Sequence, residues 1–347
     1  MHHSILRGLG LVCALSFMAT AQAAPLTEPT LSVYEPHDVA ISSTARYLTP
    51  DGTIRIGGAE HVNYIVERFN SELQKSHPHW RFQVESKGTT SAVPLLTHGV
   101  TLFGAMGRAI NPLETSAYRK IVGVAPLEIR IAYTSDDTSQ HLATSLAVYV
   151  NRANPLASLS AEQVAQILSV GNPEGDFSRW GQLGLTGVWQ ERAIHPYGTP
   201  EFTGFGTYMQ ATHLHDRPLA QNYEAYGNTE EILKRLADDP AGLGVAAIGL
   251  ENEEIKQLAI FNPNDHSLAT GTPAEVTAAL YPYGRYLYFY LRREPGQTID
   301  PLVKEYMRFV LSRQGQQIIA SQPKGYFPLT AKDAQAELAK LDEVAAP

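Results

Sequence analysis

The strongest constraint on the fold is a unit that recurs early in the chain: an apolar strand, a turn of glycine and polar donors, then an apolar segment. Thr53-Ile-Arg-Ile56 leads into Gly57-Gly-Ala-Glu-His61, after which Val62, Ile65, Val66, Phe69 and Leu73 fall on one helical face. Arg81-Phe-Gln-Val-Glu85 leads into Lys87-Gly-Thr-Thr-Ser91 and the apolar segment Val93–Leu96. Thr101-Leu-Phe-Gly-Ala-Met-Gly-Arg108 reads as a third strand, ending in glycines and an arginine. This phase predicts a βα repeat whose strand ends present Gly, Thr, Ser or Arg at helix N-termini, where ligands sit in α/β folds.

The remaining chain extends the alternation. Ile129–Tyr133, Leu146–Val150, Gly242–Gly249 and Leu287–Leu291 read as buried strands. Ser160-Ala-Glu-Gln163 is a capping-box pattern, Thr229 is placed to cap a helix, and Leu302–Ile319 has the spacing of one long amphipathic helix. Alternation on this scale predicts two α/β lobes, since one core rarely grows beyond roughly 250 to 300 residues. Met1–Ala23 has the build of a secretory signal: Arg7, the apolar run Gly8–Ala19, and the small-residue site Ala21-Gln-Ala23. A bilayer anchor needs about 20 apolar residues, so an exported, soluble protein is expected. The only cysteine, Cys13, lies in that leader, which leaves no disulfide. The formal charge is −8, and losing Arg7 makes it more negative, which argues against a nucleic-acid partner. Pro25–Asp51 reads as an extension with little regular structure and no assigned role.

A further turn, Pro196-Tyr-Gly-Thr-Pro-Glu-Phe-Thr-Gly-Phe-Gly-Thr-Tyr208, runs into the potential helix Met209–Leu214. Gly204 and Gly206 allow tight turning, Thr203 and Thr207 add hydroxyls, and the helix adds a partial positive charge. That is an anion cradle or, equally in form, a solvent-exposed turn.

Taken together, Gly58-Ala-Glu-His-Val62, Ser86-Lys-Gly-Thr-Thr-Ser91, Gly104-Ala-Met-Gly-Arg-Ala-Ile110, Trp180-Gly-Gln-Leu-Gly-Leu185, the loop Thr203-Gly204 to Thr207, Leu311-Ser-Arg-Gln-Gly-Gln316 and Gly325-Tyr-Phe-Pro-Leu329 resemble, in order and spacing, the periplasmic phosphate-binding proteins of ABC transporters. The resemblance implies a two-lobed periplasmic binding protein of type II, with two crossover strands and a central cleft. It implies a signal at 1–23, an extension at 24–52, a first lobe from 53–142 with 283–347, and a second lobe from 143–282. It also implies a periplasmic or secreted monomer that binds inorganic phosphate or a related oxyanion, feeds an ABC permease, and needs no cofactor. The ligand residues carried over are Glu60, His61, Thr89, Thr90, Ser91, Arg108, Thr203, Gly204 and Thr207. Ala59 and His61 stand where the family has hydroxyls, and Gly107 stands where it has serine or aspartate. If His61 replaces a hydroxyl, affinity should rise as pH falls toward about 6. The thinned ligand set keeps open an alternative, a non-transport sensor, adhesion or secreted interaction protein on the same fold.

Other readings stay beside these. Arg108 suits a structural ion pair as well as an oxyanion, and Glu60 and His61 suit a helix cap. His77-Pro-His79 and His213-Leu-His215 lack a third metal ligand at recognisable spacing and read as surface histidines. The tyrosines at 281–290 read as a buried crossover strand rather than a stacking surface. With no G-x-S-x-G and no H-E-x-x-H, no enzyme is expected.

Overall fold

The computed structural model describes residues 31–136, 142–322 and 325–345, with the side chain of His61 left out. The leader at 1–23 lies outside the described residues. The first sheet holds β1 (Ile54–Gly58), β2 (Phe82–Ser86), β3 (Gly104–Met106), β4 (Leu127–Tyr133) and β13 (Tyr286–Leu291), in the order β2-β1-β3-β13-β4. The second holds β5 (Leu146–Asn151), β7 (His195–Gly198), β8 (Glu224–Ala225), β9 (Gly242–Ala247) and β10 (Ile255–Gln257), in the order β10-β5-β9-β7-β8. A small third sheet joins β6 (Ser158–Ser160), β11 (Ala259–Phe261) and β12 (Leu268–Ala269). This is the two-lobed α/β architecture expected of a periplasmic binding protein.

The first sheet is parallel where the βα repeat required it, β1 pairing with β2 and β3 in parallel. Helix α1 (Glu60–Ser76) buries Val62, Ile65, Val66, Phe69 and Leu73 completely or nearly so, as the spacing predicts. Helix α2 (Thr89–Thr97) follows β2, and α3 (Pro112–Val122) starts from a capping box on Asn111 and Glu114. The third predicted strand is shorter than expected, because only Gly104–Met106 pairs. In the second lobe, α4 (Ala161–Leu168) starts at the Ser160 box, α5 (Gly204–Met209) starts at Thr203, and α6 (Thr229–Asp238) is capped by Asn228 rather than Thr229. Thr229 Oγ1 instead accepts from Ala247 N. The short α7 (Pro273–Thr277) precedes the return to the first lobe.

The expected long helix at 302–319 is two helices, α8 (Pro301–Val310) and α9 (Arg313–Ala320), followed by α10 (Ala331–Ala339). Ser312 breaks the pair by capping Gly315 N, and a side chain at Gly315 would collide with the carbonyls of Phe309 and Val310. The apolar spacing continues across the break, so periodicity alone does not register it.

The N-terminal extension forms no helix over its described part, yet it is packed. Leu31, Tyr34 and Tyr47 are buried. The Tyr34 hydroxyl donates to Glu305 at 2.8 Å and lies 2.8 Å from His77 Nε2, while His77 stacks on Trp80 at 3.8 Å. His77 is thus a core residue, not a surface one. Burial lowers its pKa, so the neutral ring that packs best is favoured. Tyr34→Phe removes a bond to a buried carboxylate and is expected to cost about 2 kcal/mol. Urea unfolding checks this, and an unchanged midpoint contradicts it.

Two segments cross between the lobes and bond to each other. Thr134 N donates to Arg285 O at 3.0 Å, Leu146 N donates to Tyr283 O at 3.2 Å, and the Tyr281 hydroxyl donates to Leu146 O at 2.8 Å. Tyr288 and Tyr290 are buried strand residues of β13, as expected, whereas Tyr286 is half-buried there and Tyr281 and Tyr283 are buried in the turn that precedes the strand.

Candidate functional site

Three of the four expected turns meet at one edge of the first sheet. Gly58 pairs with Ser86 on one side and Ala105 on the other, and Lys87 N donates to Gly58 O at 3.2 Å. Gly58 has φ +151, and a Cβ there would strike the backbone of Ala105. Only glycine lets β1 close on β3 at this point. Ala59 N then bonds Ala105 O at 2.9 Å, which aims α1 out of the strand end.

The two helices that start here differ from the rest. Ala59, before α1, and Gly88, before α2, give no side-chain cap. Every other α-helix of the described residues starts with one, from Asn111, Ser160, Thr203, Asn228, Thr272, Asp300, Ser312 or Thr330. A helix leaves its first N–H groups without intrahelical partners. Here two such sets lie side by side, with the positive ends of two dipoles. Glu60 is exposed at the first of them. The side chain of His61 lies outside the described residues.

The carried-over side chains divide into engaged and unengaged groups. Arg108 is 4% exposed and grips Glu114 with both terminal nitrogens, at 2.8 and 2.7 Å. Ser91 Oγ donates to Gly88 O at 2.7 Å. Thr203 Oγ1 accepts from Gly206 N at 3.0 Å and donates toward Pro200 O at 2.7 Å. Thr207 Oγ1 donates to Glu201 O at 3.0 Å. Among the described residues, the hydroxyls of Thr89 and Thr90 have no hydrogen-bond partner. Gly204 offers backbone only, as the first residue of α5.

The fourth turn belongs to the second lobe. Among the described residues no hydrogen bond joins it to the other three. What ties it to the first lobe is the hinge, since the Tyr208 hydroxyl donates to Pro282 O and Gly284 O at 3.1 Å each. Nearby, His213 is packed against Tyr208 and Tyr283 and is half-buried, while His215 is exposed as expected. Among the described residues no group of histidine, cysteine and carboxylate side chains has the makings of a metal site.

Reading the sequence did not single out Arg285. It is 4% exposed, its Nε donates to Thr144 O at 2.8 Å, and its guanidinium lies 4.8 Å from the ring of Phe205 and 5.5 Å from that of Tyr208. Burial pushes its pKa down to about 10, with Tyr208 opposing the shift. The one signal in the sequence was a lone cation inside the tyrosine-rich run 281–290.

Comparison with known proteins agrees with this architecture. The phosphate-binding protein PstS of Pseudomonas aeruginosa is 25% identical over 338 residues, covering 95% of this chain and 98% of that protein. Protein SphX of Synechococcus elongatus is 21% identical, over 79% of this chain and 77% of its own. An ABC-type phosphate transport receptor from Vibrio cholerae superposes with TM-score 0.55 at 17% identity, over 79% of this chain and 100% of its own. PstS from Borrelia burgdorferi does so with TM-score 0.54 at 15% identity, over 80% and 99%. The two superpositions concern the fold. A family model described as the PBP superfamily domain matches residues 43–314. The chain therefore belongs to the PBP superfamily.

Proposed function

We propose that this protein is a periplasmic substrate-binding protein for phosphate or a related small oxyanion, that it passes its ligand to an ABC importer, and that it is not an enzyme. The observation that carries the reading is the pair of uncapped helix N-termini at 59–61 and 88–91, where every other α-helix of the described residues is capped. Ala59 N, Val62 N and Ser91 N bond the carbonyls of Ala105, Ala59 and Gly88, and the N–H groups left over in these first turns are what an oxyanion satisfies. The likeness to the P. aeruginosa phosphate-binding protein over nearly the full length of both chains supports the ligand class. The proposed contacts are the backbone of Glu60, His61 and Gly204, the backbone and hydroxyls of Thr89 and Thr90, and, after local rearrangement, Ser91, Arg108, Thr203 and Thr207. The leader at 1–23 would export it, and the mature chain would act as a monomer.

A second reading, a non-transport interaction protein on the same fold, draws on one observation. The hydroxyls of Ser91, Thr203 and Thr207 and the fork of Arg108 are already bonded internally. Calorimetric titration of phosphate, sulfate and arsenate into the mature protein separates the two. The expected result is binding of phosphate well below about 1 mM, a free energy beyond roughly −4 kcal/mol. No heat from any of the three anions replaces the transport reading with the second one.

A further inference from the structure

The described residues contain two buried arginines, and they are treated differently. Arg108 is neutralised by Glu114. Arg285 has no carboxylate partner among the described residues, and its Nε bond to Thr144 O is the single hydrogen bond of its guanidinium. An uncompensated buried charge is costly, and the usual remedy is an opposite charge with hydrogen bonds. The aromatic faces of Phe205 and Tyr208 offset part of that cost, but they leave the terminal amino groups without acceptors. On the same crossing segments two polar atoms are buried without partners, Thr144 Oγ1 and the Tyr283 hydroxyl. Thr144 is the residue whose carbonyl holds Arg285. A fork of unpaired N–H donors beside an unpaired hydroxyl matches the acceptor pattern of a tetrahedral oxyanion.

We propose that Arg285 is the charged anchor of the bound oxyanion, reaching it from the hinge, with Thr144 Oγ1 as a second donor. This rests on the oxyanion-binding reading above. Arg108 is tied up in its ion pair, so the hinge holds the unpaired buried cation of the described residues. Arg285 also touches both lobes: its carbonyl accepts from Thr134 N, while its side chain bonds Thr144 O and stacks on α5 of the second lobe. An anion on Arg285 would therefore sit where the lobes meet and hold them to one another.

The test uses the mature full chain with Arg285→Gln, Arg285→Lys and Thr144→Val, titrated with inorganic phosphate and with sulfate. Each protein is also melted with and without phosphate. Arg285→Gln is expected to weaken both anions about 100-fold, from two lost charge-assisted bonds. Its melting point without phosphate should stay level or rise, while the phosphate-induced rise seen in wild type disappears. A purely structural arginine would do the reverse, lowering the ligand-free melting point and sparing the induced rise. Arg285→Lys keeps the charge without the fork and should lose about 10-fold. Thr144→Val should lose about 10-fold as well. If wild type binds and Arg285→Gln binds equally well, the anchor is overturned and the oxyanion reading stands. If Arg285→Gln does not fold, wild-type affinity in both Arg285→Lys and Thr144→Val overturns it. If wild type binds neither anion, the oxyanion reading falls, and the anchor with it.

Discussion

Arg108→Ala is expected to lower folding stability by about 3 kcal/mol. Arg108 is 4% and Glu114 17% exposed, and the two are joined by a bidentate bond. Breaking a buried pair from one side typically costs 3–5 kcal/mol, because the partner's charge is left uncompensated. The lower end applies here. Glu114 is not wholly buried, and it keeps its bond from Asn111 N at 3.0 Å. Urea unfolding of Arg108→Ala, Glu114→Ala and the double variant checks the value. The double variant should be less destabilised than the sum of the singles by at least about 1 kcal/mol. Additive losses contradict the pairing. Glu114→Gln adds a functional readout. If Arg108 reaches the anion after rearrangement, weakening its hold on Glu114 should tighten phosphate binding; if it is purely structural, affinity stays constant.

That pairing illustrates what the sequence carried. The βα repeat was legible because strand, glycine turn and helix each leave a local mark. The places of Gly58, Thr89 and Arg108 at strand ends follow from those marks. Arg108 was legible as either an ion pair or an anion ligand. The deciding partner lies six residues on, inside the capping box of α3, where a carboxylate has a reason of its own to be. The N-terminal extension was illegible for a different reason. Its contacts, such as Tyr34 with Glu305, span most of the chain and leave no periodicity. Arg285 hid in a run of tyrosines whose burial was foreseen, because burial predicts apolar neighbours and says nothing about a cation among them. The uncapped starts of α1 and α2 were visible as Ala59 and Gly88. They become meaningful only beside eight capped helices.

The second large effect lies at the hinge and depends on pH. Acid is expected to destabilise the protein through His213. Its ring lies 4.5 Å from that of Tyr283 and 5.4 Å from that of Tyr208, with Nε2 3.3 Å from the Tyr208 hydroxyl. Burial, then the charge of His215, pushes its pKa down to about 4, against a hydrogen bond to Pro282. An unfolded histidine titrates near 6.5. Between these values the unfolded chain binds a proton that the folded chain refuses. The contribution is thus complete above pH 6.5 or so and is lost as pH falls toward about 4. The total is about 3 kcal/mol at roughly 1.4 kcal/mol per pH unit. Comparing urea unfolding at about pH 7 and pH 4.5 in wild type and His213→Leu isolates this share. Wild type should lose about 2 kcal/mol more than the variant; equal losses remove His213 from the account. Because Tyr208 also holds Pro282 and Gly284, protonating His213 should loosen the tie between α5 and the hinge and weaken anion binding in acid. Phosphate affinity at about pH 7 and about pH 5 in wild type and His213→Leu checks this: the loss in acid should shrink in the variant, and an equal loss contradicts the link.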